Sequence, residues 1–115
     1  MRSPFAALLA DVARVRGVSG CMVVGEDDGL IVDAALQVGV DGAVVAALAA
    51  SLYRKARLAS DAAAFGGAAY VQLEAEQGRL CAAGRGGLVV VAVTDARVNA
   101  GLLRLALLRA ASTLA

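Results

Sequence analysis

Six consecutive apolar residues, Leu88-Val89-Val90-Val91-Ala92-Val93, constrain this chain more than any other segment. A membrane-spanning helix needs about 20 such residues, so the run is far too short to cross a bilayer. Its β-branched content reads as a strand, and without polar alternation both of its faces must be covered. The rest of the chain therefore has to supply a packing layer on each side of a sheet.

The flanking sequence offers those parts. Cys21-Met22-Val23-Val24 and Leu30-Ile31-Val32 bracket Glu26-Asp27-Asp28-Gly29, and Asp-Gly tolerates the positive φ of a hairpin turn. Ala69 to Glu74 alternates, with Tyr70, Gln72 and Glu74 opposing Val71 and Leu73. Glu76-Gln77-Gly78 turns the chain, Arg79 to Ala83 returns, and Gly84-Arg85-Gly86-Gly87 turns into the apolar run. Three segments read as helices. Ser3-Pro4 opens the first, which carries Phe5, Leu8, Leu9, Val12 and Val15 and stops at Gly17. The second runs from about Gly42 to Ala63 behind Asp41 as cap. The third runs from about Val98 to Leu114, carries Leu102, Leu105, Leu108 and Leu114, and is capped by Asp95 or Asn99. The order is α-β-β-α-β-β-β-α, an α+β domain over residues 1–115 with helices packed on an antiparallel sheet.

The middle helix places Val45, Leu48, Leu52 and Ala59 on one stripe, with Val44 beside it and Ala46, Ala47, Ala49 and Ala50 around it. A helix lying only on its own sheet shows a charged outer face. Here charge enters only at Arg54, Lys55, Arg57 and Asp61, so the first half reads as covered on more than one side. Composition agrees: 60% of residues are apolar and 18% charged, against about 45–50% and about 25% in ordinary domains. The excess reads either as a bias toward alanine or as apolar surface covered by a partner, and the two can hold together. Val44, Val45, Leu48 and Leu52 are the expected dimer interface. Arg54, Lys55 and Arg57 form a basic cluster that either complements the helix dipole or docks a partner.

Several functions are disfavoured. Eleven basic against ten acidic residues and 3% aromatics make neither an electrostatic nor a stacking case for nucleic acid. The chain has no histidine, the commonest general base and metal ligand, and two distant cysteines cannot hold zinc. No metal or cofactor is expected. The acid pairs Asp27-Asp28 and Glu74/Glu76 sit in turns, where solvated carboxylates are the rule. Gly84-Arg85-Gly86-Gly87 lacks the phosphate-loop pattern and leads into a strand, not a helix. Asp11 and Arg14 interrupt the apolar stretch Pro4–Ala10 that follows Arg2, so neither secretion nor membrane insertion is expected, and a cytoplasmic setting is. Cys21 and Cys81, in apolar strands, read as reduced buried thiols.

The chain resembles the Roadblock/dynein light chain family. The likeness lies in Val15-Arg16-Gly17-Val18-Ser19-Gly20 leading into Cys21-Met22-Val23-Val24, in Asp28-Gly29-Leu30-Ile31-Val32, in Ala46-Ala47-Leu48-Ala49, and in Val98-Asn99-Ala100-Gly101-Leu102-Leu103-Arg104. It implies a five-stranded antiparallel sheet with one helix on one face and two on the other. It also implies homodimers built through the middle helix and a neighbouring edge strand. As partner it implies a small Ras-like GTPase, which the protein would regulate or anchor without being an enzyme itself. The family has no fixed catalytic motif, so the likeness carries no residue into a catalytic role. The chain ends with its third helix, without the extensions of some larger regulators, so GTPase binding is expected ahead of activation. Two other readings are a nucleotide-independent assembly adapter of dynein light chain type and a small-ligand sensor of PAS or profilin type.

Overall fold

The computed structural model describes residues 3–114, and Arg2 lies outside them. Its elements are α1 (Ala6–Ala13), β1 (Val18–Gly25), β2 (Ile31–Leu36), α2 (Gly42–Ala62), β3 (Val71–Glu74), β4 (Gly78–Arg85), β5 (Leu88–Asp95) and α3 (Ala100–Ser112). The strands form one sheet, antiparallel throughout, in the order β2-β1-β5-β4-β3. The apolar run is thus the middle strand. Val89 and Val91 pack on one face with α2, and Val90 and Ala92 pack on the other with α1 and α3. The expected architecture, one helix on one face and two on the other, is present.

Local chemistry sets the boundaries. The Ser3 hydroxyl accepts the Phe5 amide at 3.1 Å, but the helix starts at Ala6, so Pro4 precedes the first turn and does not occupy it. Asp41 caps α2 by accepting the Val44 amide, and Asn99 caps α3 by accepting the Leu102 amide. Asp95, the other candidate cap, instead accepts the Arg97 amide within the preceding turn. β3 begins at Val71, two residues later than the alternation at Ala69 suggested. Gly86 and Gly87 both have positive φ, 63° and 83°, the requirement of a two-residue type I′ hairpin. That turn accounts for the glycine-rich string.

The third helix seats itself differently from the expected stripe. Leu103, Leu107, Ala110, Ala111 and Leu114 are buried, whereas Leu102 and Leu105 face outward and Leu108 is half-buried. Leucine at five positions between 102 and 108 leaves the helical phase undefined by pattern alone. The phase comes from packing against both α1 and the sheet.

Cys21 and Cys81 are buried, unpaired, and on the same face. Both lie opposite Ala92, one on each side of it, so two strand spacings separate them. That is about 10 Å, beyond disulfide reach. The Cys21 thiol donates to the Leu9 carbonyl at 3.4 Å and helps tie α1 to β1. Burial, then the Asp33 carboxylate, push its pKa from 9.0 up to about 11.

The folded state therefore keeps the Cys21 proton over a range in which the unfolded chain has released it. Stability contributed by this thiol is intact below about pH 9 and is lost as pH rises toward about 11. Urea midpoints should fall across that window by up to roughly 3 kcal/mol of stability. Cys21→Ala should flatten the fall, and an equally steep profile in that variant would rule out Cys21 as its source.

Candidate functional site

The second helix rests on the sheet through small side chains. Ala46, Ala49, Ala50 and Tyr53, spaced i, i+3, i+4, i+7, are buried against Met22, Val24, Ala82, Val89 and Val91. Alanine on the inner side lets the helix backbone approach closely and sends the longer aliphatics elsewhere. Val44 is 52% exposed and Leu48 62%, both facing away from the sheet. Val45 and Leu52 are half-buried on its flanks, and Ala59 is exposed. Of the four residues expected at an interface, two are thus exposed and two border the seat.

The sheet adds apolar surface on the same face. Leu73 on edge strand β3 lies opposite Leu80, which packs partly against the α2 core, so both point to the α2 side. With Val93 they line a shallow, almost wholly apolar depression of about 290 Å³. At the other edge, a side chain built on Gly42 would meet Leu36 at 2.6 Å and Ile31 at 3.4 Å. Glycine there lets the start of α2 lie against exposed residues of β2.

A polar clamp fixes the middle of α2. The Arg57 guanidinium donates through Nε and Nη2 to one oxygen of Glu26, at 3.2 and 2.8 Å. Glu26 is nearly buried at the end of β1. Arg54 donates to the Glu26 carbonyl at 2.8 Å and to the Asp27 carbonyl at 3.4 Å. Hydrogen bonding to Glu26, followed by its charge, raises the Arg57 pKa still further. The turn itself lies against the helix, since a side chain on Gly29 would come within 3.1 Å of the Ala47 Cα. Of the basic cluster read from the sequence, Arg54 and Arg57 hold the chain's own β1–β2 turn, and Lys55 alone is exposed.

Two participants escaped the sequence reading. Glu26 looked like one more turn acid; the only signal was its position directly after a buried strand. Tyr53 completes the alanine seat and donates its hydroxyl to the Ala68 carbonyl at 2.9 Å, which positions the chain entering β3. Burial, then Glu26, raise its pKa. Gly84 matches it, because a Cβ there would meet the Tyr53 ring at 2.7 Å. Among the described residues no group of His, Cys, Asp or Glu is arranged to hold a metal ion. What this face offers is exposed aliphatics on a helix anchored to the sheet and to the β1–β2 turn.

Comparison with known proteins bears on what such a face is for. The Roadblock/LC7 domain family model matches residues 5–93. An uncharacterized protein of Methanocaldococcus jannaschii, MJ0714, is 36% identical over 104 residues, which cover 90% of this chain and 87% of the relative. Among solved structures, Myxococcus xanthus MglB superposes with a TM-score of 0.79 at 19% identity, covering 96% of this chain and 93% of that one. An MglB with a tetrameric arrangement gives 0.85 at 15% identity, covering 99% and 90%.

The clamp separates the three basic residues by role. Arg57→Ala leaves a nearly buried carboxylate without its partner and should lower the urea midpoint clearly. Lys55→Ala should leave it unchanged. Equal midpoints for the two variants would show that the Glu26 pair contributes nothing to stability.

Proposed function

The chain belongs to the Roadblock/LC7 domain family, and from that premise we propose that it is a homodimeric regulator or scaffold that binds a small Ras-like GTPase. The family is a regulatory and adapter fold, and its bacterial members commonly partner such GTPases. One observation carries the dimer: α2 buries alanines and presents Val44 and Leu48 to the outside. A protomer that ended its assembly there would have placed its smallest side chains inside and its larger ones in water. A second copy with the same face restores the burial, about 25 cal/mol for each Å² of apolar surface removed from water. Val45 and Leu52 would border the contact. Among the described residues β3 pairs only with β4, which leaves its outer side available to extend the sheet between subunits.

Toward a GTPase, the proposed role is positioning. Phosphoryl transfer depends mainly on orientation and charge stabilisation, so a dimer can assist by ordering the GTPase's own switch residues. That Arg54 and Arg57 are already engaged by the β1–β2 turn supports a mode in which no arginine is donated. Lys55, exposed beside them, is the member of the cluster free to meet a partner.

Sedimentation tests the dimer. Leu48→Asp should halve the mass without altering the far-UV spectrum, because the side chain is exposed in the protomer but dry in the dimer. A dimer that survives the substitution would remove Leu48 from the interface. For the partner, the purified protein is mixed with small Ras-like GTPases loaded with GDP or a GTP analogue. Preference for one nucleotide state supports the regulatory role, indifference favours a plain adapter, and failure to bind any of them removes the GTPase.

A further inference from the structure

The opposite face of the molecule has its own unfilled surface. Between α1 and α3 runs a groove of about 470 Å³, with buried Val15 and Ala110 deepest and Leu8, Leu102 and Leu105 along its sides. Leu102 is 53% exposed and Leu105 46%, although neighbouring leucines of the same helix are fully buried. A second depression of about 420 Å³ shares Val15 and Leu102 with the first and continues past Arg16 and Arg97. The surface is concave and aliphatic, and α2 lies on the other side of the sheet.

Its charge is one-sided. Arg14, Arg16, Arg97 and Arg109 line the two depressions, and only Asp11 and Asp95 accompany them. Asp11 is paired with Arg14 at 2.7 Å, while Asp95 accepts the Arg97 backbone amide at 2.9 Å and keeps its charge. Among the described residues Arg16, Arg97 and Arg109 form no ion pair. Four arginines against two carboxylates leave a net excess of positive charge around the apolar groove of a chain that is close to neutral overall.

We propose that the α1–α3 groove docks an amphipathic helix of another protein, with aliphatic residues facing Leu8, Leu102 and Leu105 and acidic residues facing the arginines. The occupant is helical because the groove lies between two helices and offers no free strand edge, so side chains must make the contact. It is acidic because only negative charge complements the rim. A second copy of this chain fits poorly, since two-fold pairing of the groove with itself sets arginine against arginine. A flat lipid surface would reach the rim but not the recessed residues. This site is independent of the α2 face.

The test uses a synthetic amphipathic helical peptide of about 18 residues, leucines at i, i+3, i+4, i+7 and glutamates beside them, and a lysine-flanked counterpart. Fluorescence anisotropy should show the glutamate peptide binding, the lysine peptide binding at least about tenfold more weakly, and affinity falling as salt is added. Leu105→Glu, at an exposed position that tolerates the change, should weaken binding by at least about tenfold. Arg97→Ser with Arg109→Ser should abolish the preference for glutamate while the apolar groove remains. Leu48→Asp should leave peptide binding intact, so failure of the dimer and failure of this site are read separately. Failure of the glutamate peptide to bind, or equal binding of the two peptides, would overturn the proposal. So would a change in sedimentation mass on Leu105→Glu, which would make the occupant a second copy. Arginine-dependent binding to phosphatidylserine vesicles without peptide binding would assign the face to a membrane instead.

Discussion

The seat of the second helix determines most of what this molecule can do. Ala46, Ala49 and Ala50 bring the helix backbone down onto Met22, Val24, Ala82, Val89 and Val91, and Tyr53 fills the far end of the contact. Alanine side chains bury little area individually, so this face of the sheet gains less from burial than the opposite one. Polar contacts supplement it: Arg57 on Glu26, Arg54 on the carbonyls of the β1–β2 turn, and Tyr53 on Ala68. They anchor the helix in the orientation that presents Val44 and Leu48 outward.

The two faces of the sheet are consequently unlike. The α1–α3 side holds the larger core, with Leu9, Val12, Leu103, Leu107 and Leu114 closed over Cys21, Val23, Val90 and Ala92. The α2 side is thin and unfinished. The larger share of the core lies in the first layer, so a substitution on the outer side of α2 leaves the principal core undisturbed. The arrangement also explains how a chain with 60% apolar residues keeps so many of them at the surface.

Element order, the two tight turns and the central strand were legible in the sequence because each depends on neighbours in the chain. Asp28-Gly29 and Gly86-Gly87 encode their turns by φ preference, and the Val-rich run encodes its own burial from both sides. The family likeness added strand number and the distribution of helices. Less legible was anything set by rotation about a helix axis. In α2 the outer residues Val44 and Leu48 were picked out, but the inner seat was not, because alanine carries almost no pattern signal. In α3 the abundance of leucine hides which stripe is buried, and of the leucines that mark the helix in the sequence Leu102 and Leu105 lie outward. Glu26 and Tyr53 acquire their roles from residues 31 and 15 positions away, distances at which composition and spacing are silent.

The outer strand β2 leaves Ile31, Val32 and Leu36 partly exposed, and among the described residues no strand pairs beyond it. Within it, Asp33 folds its carboxylate back onto the Ala34 amide at 2.8 Å. The donor is satisfied inside its own chain and is not offered to an incoming strand. Joining subunits through the opposite rim would leave two such borders, one at either extremity of the particle. An amide already satisfied at each border would leave an added strand one hydrogen bond short, the consequence of a single acidic side chain.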